Sequence, residues 1–494
     1  MLTRKEFLHK SLYGATILAL PVSIQSVFSS CMGSMRESAT QIKVREGRFN
    51  NALHVPSSVF TASSNVLLRA SENIAQVIPE KQTKVLGYSG GILGPTLEAT
   101  DGQVFTVQFE NGLYEPTNIH WHGLIVPQNM DGLPFNLVAP GYSFPYQFTI
   151  NQRAGTYWYH PHPHGLTASQ VFHGLAGFLI VRDTVENSLN LPSGIHEIPI
   201  VIQDKRIAPD FSLEYGPTMM DLMGGYLGQY VLLNGQYSNY VNVATRWYRL
   251  RLLNGSTARV YNLKFNNGMT FYLIGTDGGL LAAPAALTSV LLAPGERADI
   301  LVNFSGITVG SEVFLLSDTF SEGGEFQGYD SFKILKIFID RSEVDGFVLP
   351  AMLSTIPLVD TTGIVASRTF NIKQNDMMAG GGMMHTINGK SYEMSRIDAT
   401  VIANTSELWT IDNTASTEIH PIHIHGVQFQ VVSRSGGRGQ IQAWETGYKD
   451  TVLVAGNEKV QLLISFPVHR GKFVFHCHNL EHEDSGMMSN FEIV

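Results

Sequence analysis

One repetition limits the fold more than any other property of this 494-residue chain. The segment FTVQFENGLYEPTNIHWHGLIV (105–126) reads like ELWTIDNTASTEIHPIHIHGVQFQVV (407–432). Each is a strand, a turn containing asparagine, then His-x-His-Gly leading into another strand. Further along, GTYWYHPH (155–162) matches GKFVFHCH (471–478): Gly, alternating aromatics, His-x-His. A middle copy, YRLRLLNGSTARVYNLKFNNGMTFYLI (248–274), keeps the strand–turn–strand pattern without histidine. Period-2 runs closed by Gly, Asn, Asp or Pro recur throughout, and helical periodicity over a dozen residues is hard to find. The chain is therefore expected to be all-β, built from three consecutive β-sandwich domains of about 150 residues. The expected divisions are a leader over 1–31, then units over 40–185, 186–345 and 346–494. The first and third carry histidines, and the second serves as a spacer.

Composition agrees with a turn-rich β protein, since 47 Gly and 21 Pro accompany only 15% charged residues. A net charge of −9 with no Lys/Arg run excludes a nucleic-acid partner, which needs a basic footprint. The first residues, MLTRKEFLHK followed by SLYGATILALPVSI, read as an export leader. Thr-Arg-Lys-Glu-Phe-Leu resembles a twin-arginine signal with Lys5 in place of the second arginine, so ordinary secretion stays open. Cys31, after Phe28, Ser29 and Ser30, is either a lipid-anchoring cysteine or a thiol discarded with the leader. No other stretch holds 18 consecutive apolar residues, so the body is expected to be soluble and exported, to a bacterial periplasm or cell envelope.

Ten of the 17 histidines lie in four short motifs: His120 and His122; His160 and His162; His420, His423 and His425; His476, His478 and His482. Alternate residues of a strand share a face, so the two ends of each His-x-His point together. Cys477, between His476 and His478, points the other way. Two sites should therefore flank that strand, on the order of 10 Å apart. On the cysteine side, His420 and His482 complete a His₂Cys set, Pro421 being read as the break that frees His420 from the face of His423. Met487 is the expected axial thioether, chosen over Met488 on spacing. That set is the blue-copper arrangement, with zinc its main rival. On the other side eight imidazoles are too many for one metal. They divide into three, three and two, which gives three ions. One plus three coppers makes four one-electron centres, matching the four electrons that O₂ takes on its way to water.

HWHG, HPH, HPIHIHG and HCHNLEHEDSGMM are similar to the four copper motifs of the multicopper oxidases, a family that includes laccases, bilirubin oxidases and bacterial cuprous oxidases. The resemblance runs from about residue 45 to 494. It implies three cupredoxin-like Greek-key domains and four coppers per chain. A type 1 copper would lie at His420, Cys477, His482 and Met487, and a type 2 copper at His120 and His423. The type 3 pair would take His122, His160 and His478 on one ion and His162, His425 and His476 on the other. An axial Met resembles the lower-potential members. Asp131 and Glu483 match acidic positions that relay protons in bacterial relatives, against the plainer reading of capping carboxylates. Asp450, in GYKDTV, matches a family motif without a chemical role that we can assign from sequence. His164 and His173 are expected to be supporting residues.

The implied partners are O₂ and small electron donors: phenols and aromatic amines, or Cu(I) and Fe(II). Two methionine clusters, Met219, Met220 and Met223, and Met377, Met378, Met383 and Met384 before His385, would suit Cu(I) or would simply fill gaps. Three alternatives stand beside the laccase-like reading. The first is a dedicated cuprous oxidase for copper resistance. The second is a nitrite reductase, which lacks the eight-histidine set. The third is a copper-binding or metal-free relative without turnover.

Overall fold

Val104–Asn111 shows in miniature how the sequence builds its sheets: its buried and outward-facing positions alternate, with Phe105, Val107 and Phe109 turned into a core. In the computed structural model, which describes residues 42–62, 66–357, 359–374 and 385–494, such strands make six sheets that pack in pairs. The first pair sets a four-stranded sheet against a five-stranded one whose edge is His120–His122, beside Gly155–His160. The middle pair has seven and six strands, and the last has two sheets of five. These are three cupredoxin-like sandwiches. Each has its own apolar centre, gathered around Trp121, Leu301 and Trp409 respectively.

The repetition extends to single hydrogen bonds. Asn111, Asn254 and Asn413, the asparagines of the three matching turns, are all buried. Each side-chain amide donates to two carbonyls: Asn111 to Glu115 and Val138, Asn254 to Arg259 and Leu292, Asn413 to Glu418 and Ala455. A buried amide with both N–H groups satisfied ties a turn to a neighbouring strand. Register repeats too, since His120 lies opposite His160 and His423 opposite His476.

Two details differ from the sequence reading. Asn51–Ala52 pairs in parallel with Asn239–Ala244 and so edges a sheet of the middle sandwich, where it covers otherwise open strand hydrogen bonds. Pro421 does not break its strand: His420–Ile424 is continuous and Pro421 pairs with Leu453. The separation of His420 from His423 needs no break, because positions three apart on a strand face opposite sides.

Candidate metal centre

Cys477 ends the strand Gly471–Cys477, opposite Ile422, and is fully buried and free of any disulfide. Its sulfur lies 3.6 Å from Nδ1 of both His420 and His482, and those two nitrogens are 3.2 Å apart. Bonds of about 2.0 Å to nitrogen and 2.3 Å to sulfur at near-trigonal angles produce edges of about 3.2–3.6 Å and 3.4–3.7 Å. The triangle fits one ion. Burial pushes the Cys477 thiol well above its ordinary range, so a bound cation is what would hold it as a thiolate. Met487 packs in the same apolar cluster as Cys477, and its carbonyl accepts from the Cys477 N–H at 3.0 Å. Met488 lies in a different cluster with Val474, across the strand and opposite His476.

Across the sheet the other eight imidazoles meet, every one buried. Burial pushes most of them far below the ordinary histidine value, and His162 to about 4, so those rings are neutral and can offer lone pairs. Apart from His162 and His478, their outer nitrogens have acceptors. His120 and His423 donate from Nδ1 to the carbonyls of Asp131 and Asp450, both at 2.8 Å, and His160 to that of Pro161 at 2.9 Å. His425 Nδ1 donates to the Asp131 carboxylate at 2.7 Å. His476 Nδ1 lies 3.0 Å from Glu483 Oε2. Lone pairs are thereby left on the inner nitrogens, and these face one another. His120 Nε2 is 3.3 Å from His423 Nε2, and His476 Nε2 lies 3.1 Å from that of His162 and 3.2 Å from that of His425. His122 is reversed: Nε2 donates to Asp450 Oδ1 at 3.0 Å, and Nδ1 lies 3.3 Å from His160 Nε2. Acceptors crowded in this way repel unless a cation lies between them. His478, whose ring is 5.0 Å from that of His122 and 5.4 Å from that of His160, has no partner on either nitrogen. The donor set fits copper or another imidazole-binding ion.

Asp131 and Glu483 are fully buried against these rings. Burial pushes Asp131 well above the carboxylate range, and its Oδ1 has no partner. Burial also pushes Glu483 up, but the His162 and His476 rings outweigh it and hold the carboxyl below its usual range. Glu483 Oε1 is 3.4 Å from His162 Nδ1. His173 donates to the Ser169 carbonyl within its own helix, and His164 is exposed with its ring beside Tyr392. Neither joins the cluster.

Arg297 escaped the sequence reading, and Asp450, His385 and Met223 were named there without the contacts they make. Asp450 takes His122 on Oδ1 and His423 on its carbonyl, and its carboxylate is gripped by Arg297 of the middle sandwich. His385 stacks on the His482 ring at 3.8 Å. His482 Nε2 donates to the Met223 carbonyl at 3.0 Å, so the helix Met219–Gly224 covers the ring edge of this histidine. The expected spacer thus reaches both halves of the site. GYKDTV and the two methionine clusters, which hold Met223 and precede His385, were the signals; Arg297 had none, since contacts between distant sandwiches leave no local pattern. Met377, Met378, Met383 and Met384 lie outside the described residues.

Sequence models of the multicopper oxidases match residues 70–186 and 365–494. The chain is 33% identical to the multicopper oxidase mco of Staphylococcus haemolyticus, over 87% of this chain and 88% of that protein. It is 30% identical to a laccase of Bacillus subtilis, over 83% and 90%. The crystal structure of the McoA multicopper oxidase of Aquifex aeolicus superposes with a TM-score of 0.83 at 33% identity, covering 90% of this chain and 99% of that one. The chain belongs to the multicopper oxidase family, copper-dependent oxidoreductases that pass electrons from small donors to O₂.

Proposed function

We propose that this chain holds four coppers and acts as a laccase-like oxidase, with electrons entering at His420, Cys477, His482 and Met487 and O₂ reduced among the eight other histidines. His120 and His423 would share one ion, His122, His160 and His478 a second, and His162, His425 and His476 a third. When bound, copper supplies one-electron chemistry at the thiolate site and four-electron reduction of O₂ to water at the other. The observation that carries this reading is the opposition of Cys477 and His476: adjacent residues, one in the sulfur triangle, the other facing His162 and His425. Cys477 is bonded through the backbone to His476 and His478, so it gives electrons a covalent path between the sites. The buried rings exclude bulk water from the cluster. Asp131, pushed up by burial and with a free oxygen beside His425, is placed to hold a proton for O₂ reduction, and Glu483, ionised between His162 and His476, to accept and pass one.

The donors we infer are phenols and aromatic amines, together with Cu(I) or Fe(II). Outer-sphere transfer tolerates many donors, and the helix over His482 favours a soft metal ion among them. Met219 and Met220 are exposed on that helix, and thioethers are soft ligands. Oxygen uptake with Cu(I), Fe(II), phenols and aromatic amines in parallel tests this. Met219→Ala with Met220→Ala should slow cuprous oxidation several-fold and leave phenol oxidation unchanged. Equal effects on both would assign these methionines to packing.

We place the domain divisions near residues 185 and 345. We further infer export to the periplasm or cell envelope, with Cys31 as a lipid anchor, from the leader. Among the described residues no helix is long and apolar enough to cross a membrane.

A further inference from the structure

The middle sandwich supplies no cluster histidine, yet its turn from Ala293 to Arg297 lies against two of them. Gly295, at φ +83°, would place a Cβ 3.1 Å from His478 Cγ and 3.2 Å from His122 Cε1. Arg297 is fully buried two residues on, and all five of its side-chain N–H groups are used. Nε donates to the Thr156 carbonyl at 2.8 Å. Nη1 donates to the Gly295 carbonyl at 2.7 Å and to Asp450 Oδ1 at 2.8 Å. Nη2 donates to the Asp277 carbonyl at 3.0 Å and to Asp450 Oδ2. One guanidinium therefore joins all three sandwiches and fixes the plane of the Asp450 carboxylate. Gly123, directly after His122, leaves the room: a Cβ there would meet Asp450 Oδ2 at 2.3 Å.

That plane has a chemical consequence. Asp450 Oδ1 accepts from His122 Nε2 and from the Thr451 hydroxyl at 2.9 Å. His122 must therefore offer its Nδ1 lone pair inward, opposite to His120, His160 and His423. His478 has no hydrogen bond to orient it, so its place is set by packing, with Gly295 directly against its ring.

We propose that Gly295 and Arg297 are positioning residues of the oxygen-reducing centre, through which the middle sandwich sets the ring nitrogen that His122 presents and the approach of His478. This rests on the reading that the eight histidines hold three coppers. Losing a partner that orients a metal ligand weakens metal binding by about 10–100-fold.

The test uses the full chain loaded with copper, with copper counted by mass spectrometry during titration with a chelator and the blue colour followed for the Cys477 site. Arg297→Met and Gly295→Ala should each release cluster copper at about 10–100-fold lower chelator while the blue colour persists. Arg297→Lys should recover part of the affinity. Arg251→Met serves as control: Arg251 is equally buried and paired with Glu197 and Glu186, but it does not touch the cluster. It should lower the melting temperature with copper affinity kept. Unchanged cluster affinity in whichever of Arg297→Met and Gly295→Ala folds, or an equal loss in Arg251→Met, would overturn the proposal. If the wild-type chain itself held fewer than three coppers besides the blue one, the reading of the cluster would fail instead.

Discussion

At the level of single residues the account turns on Cys477. Cys477→Ser should abolish the blue colour and donor oxidation while the chain keeps about three coppers, since the eight imidazoles do not depend on the sulfur. Copper counts and visible spectra check this, and an unchanged colour would refute the ligand assignment. Met487→Leu should raise the reduction potential of that site, because a thioether stabilises the oxidised ion. Redox titration reads it, and no shift would remove Met487 as axial partner. The eight clustered histidines were legible in the sequence because each sits in a repeated His-x-His motif whose alternation fixes the face it points to, whereas His482 and Met487 lie beyond the strand and were placed by spacing and resemblance. Pro421 shows where the reading went wrong: a break was invoked for His420, although strand parity alone already separates it from His423. Asp450 was noticed but had no role, because its meaning depends on Arg297, 153 residues away in the chain.

Among the elements, the single helical turn Leu480–Asp484 does the most joining. Four consecutive side chains serve four partners. Glu481 accepts from the Tyr226 N–H and the Tyr215 hydroxyl, and His482 completes the sulfur triangle. Glu483 faces the cluster, and Asp484 accepts from the N–H groups of Gly165, Thr167 and Ala168. Those N–H groups open the helix Thr167–His173, whose own preceding residue, Leu166, offers no capping side chain. A carboxylate borrowed from the third sandwich thus caps a helix of the first. Removing such a cap costs about 1–2 kcal/mol. Asp484→Ala should lower the melting temperature by a few degrees, read by calorimetry on the copper-free protein, without changing the wild-type copper count. An unaltered melting temperature would show the cap to be idle. From the sequence, HCHNLEHED gave His482 and Glu483, but not the tasks of Glu481 and Asp484. Capping across a domain boundary has no local signature, whereas strand alternation does.

Over the whole molecule, three sandwiches were legible from repetition, down to the asparagine that closes each matching turn. The part played by the middle one was not. It carries none of the clustered histidines, so composition and motif both read it as a spacer, yet Met223 covers His482 and Arg297 holds Asp450. Contacts of this kind form only after folding brings together surfaces more than a hundred residues apart. On the proposed reading the arrangement makes one chain of sites: donor side, sulfur triangle, peptide link, eight-ring chamber. The measurement that tests it most directly is anomalous diffraction at the copper absorption edge from copper-loaded crystals. The account expects four peaks, one at about 2.3 Å from Cys477 Sγ and three among the eight rings at about 2.0 Å from their inner nitrogens. A single peak shared by Cys477 and the rings of His476 and His478, or fewer than three peaks among the eight rings, would contradict it.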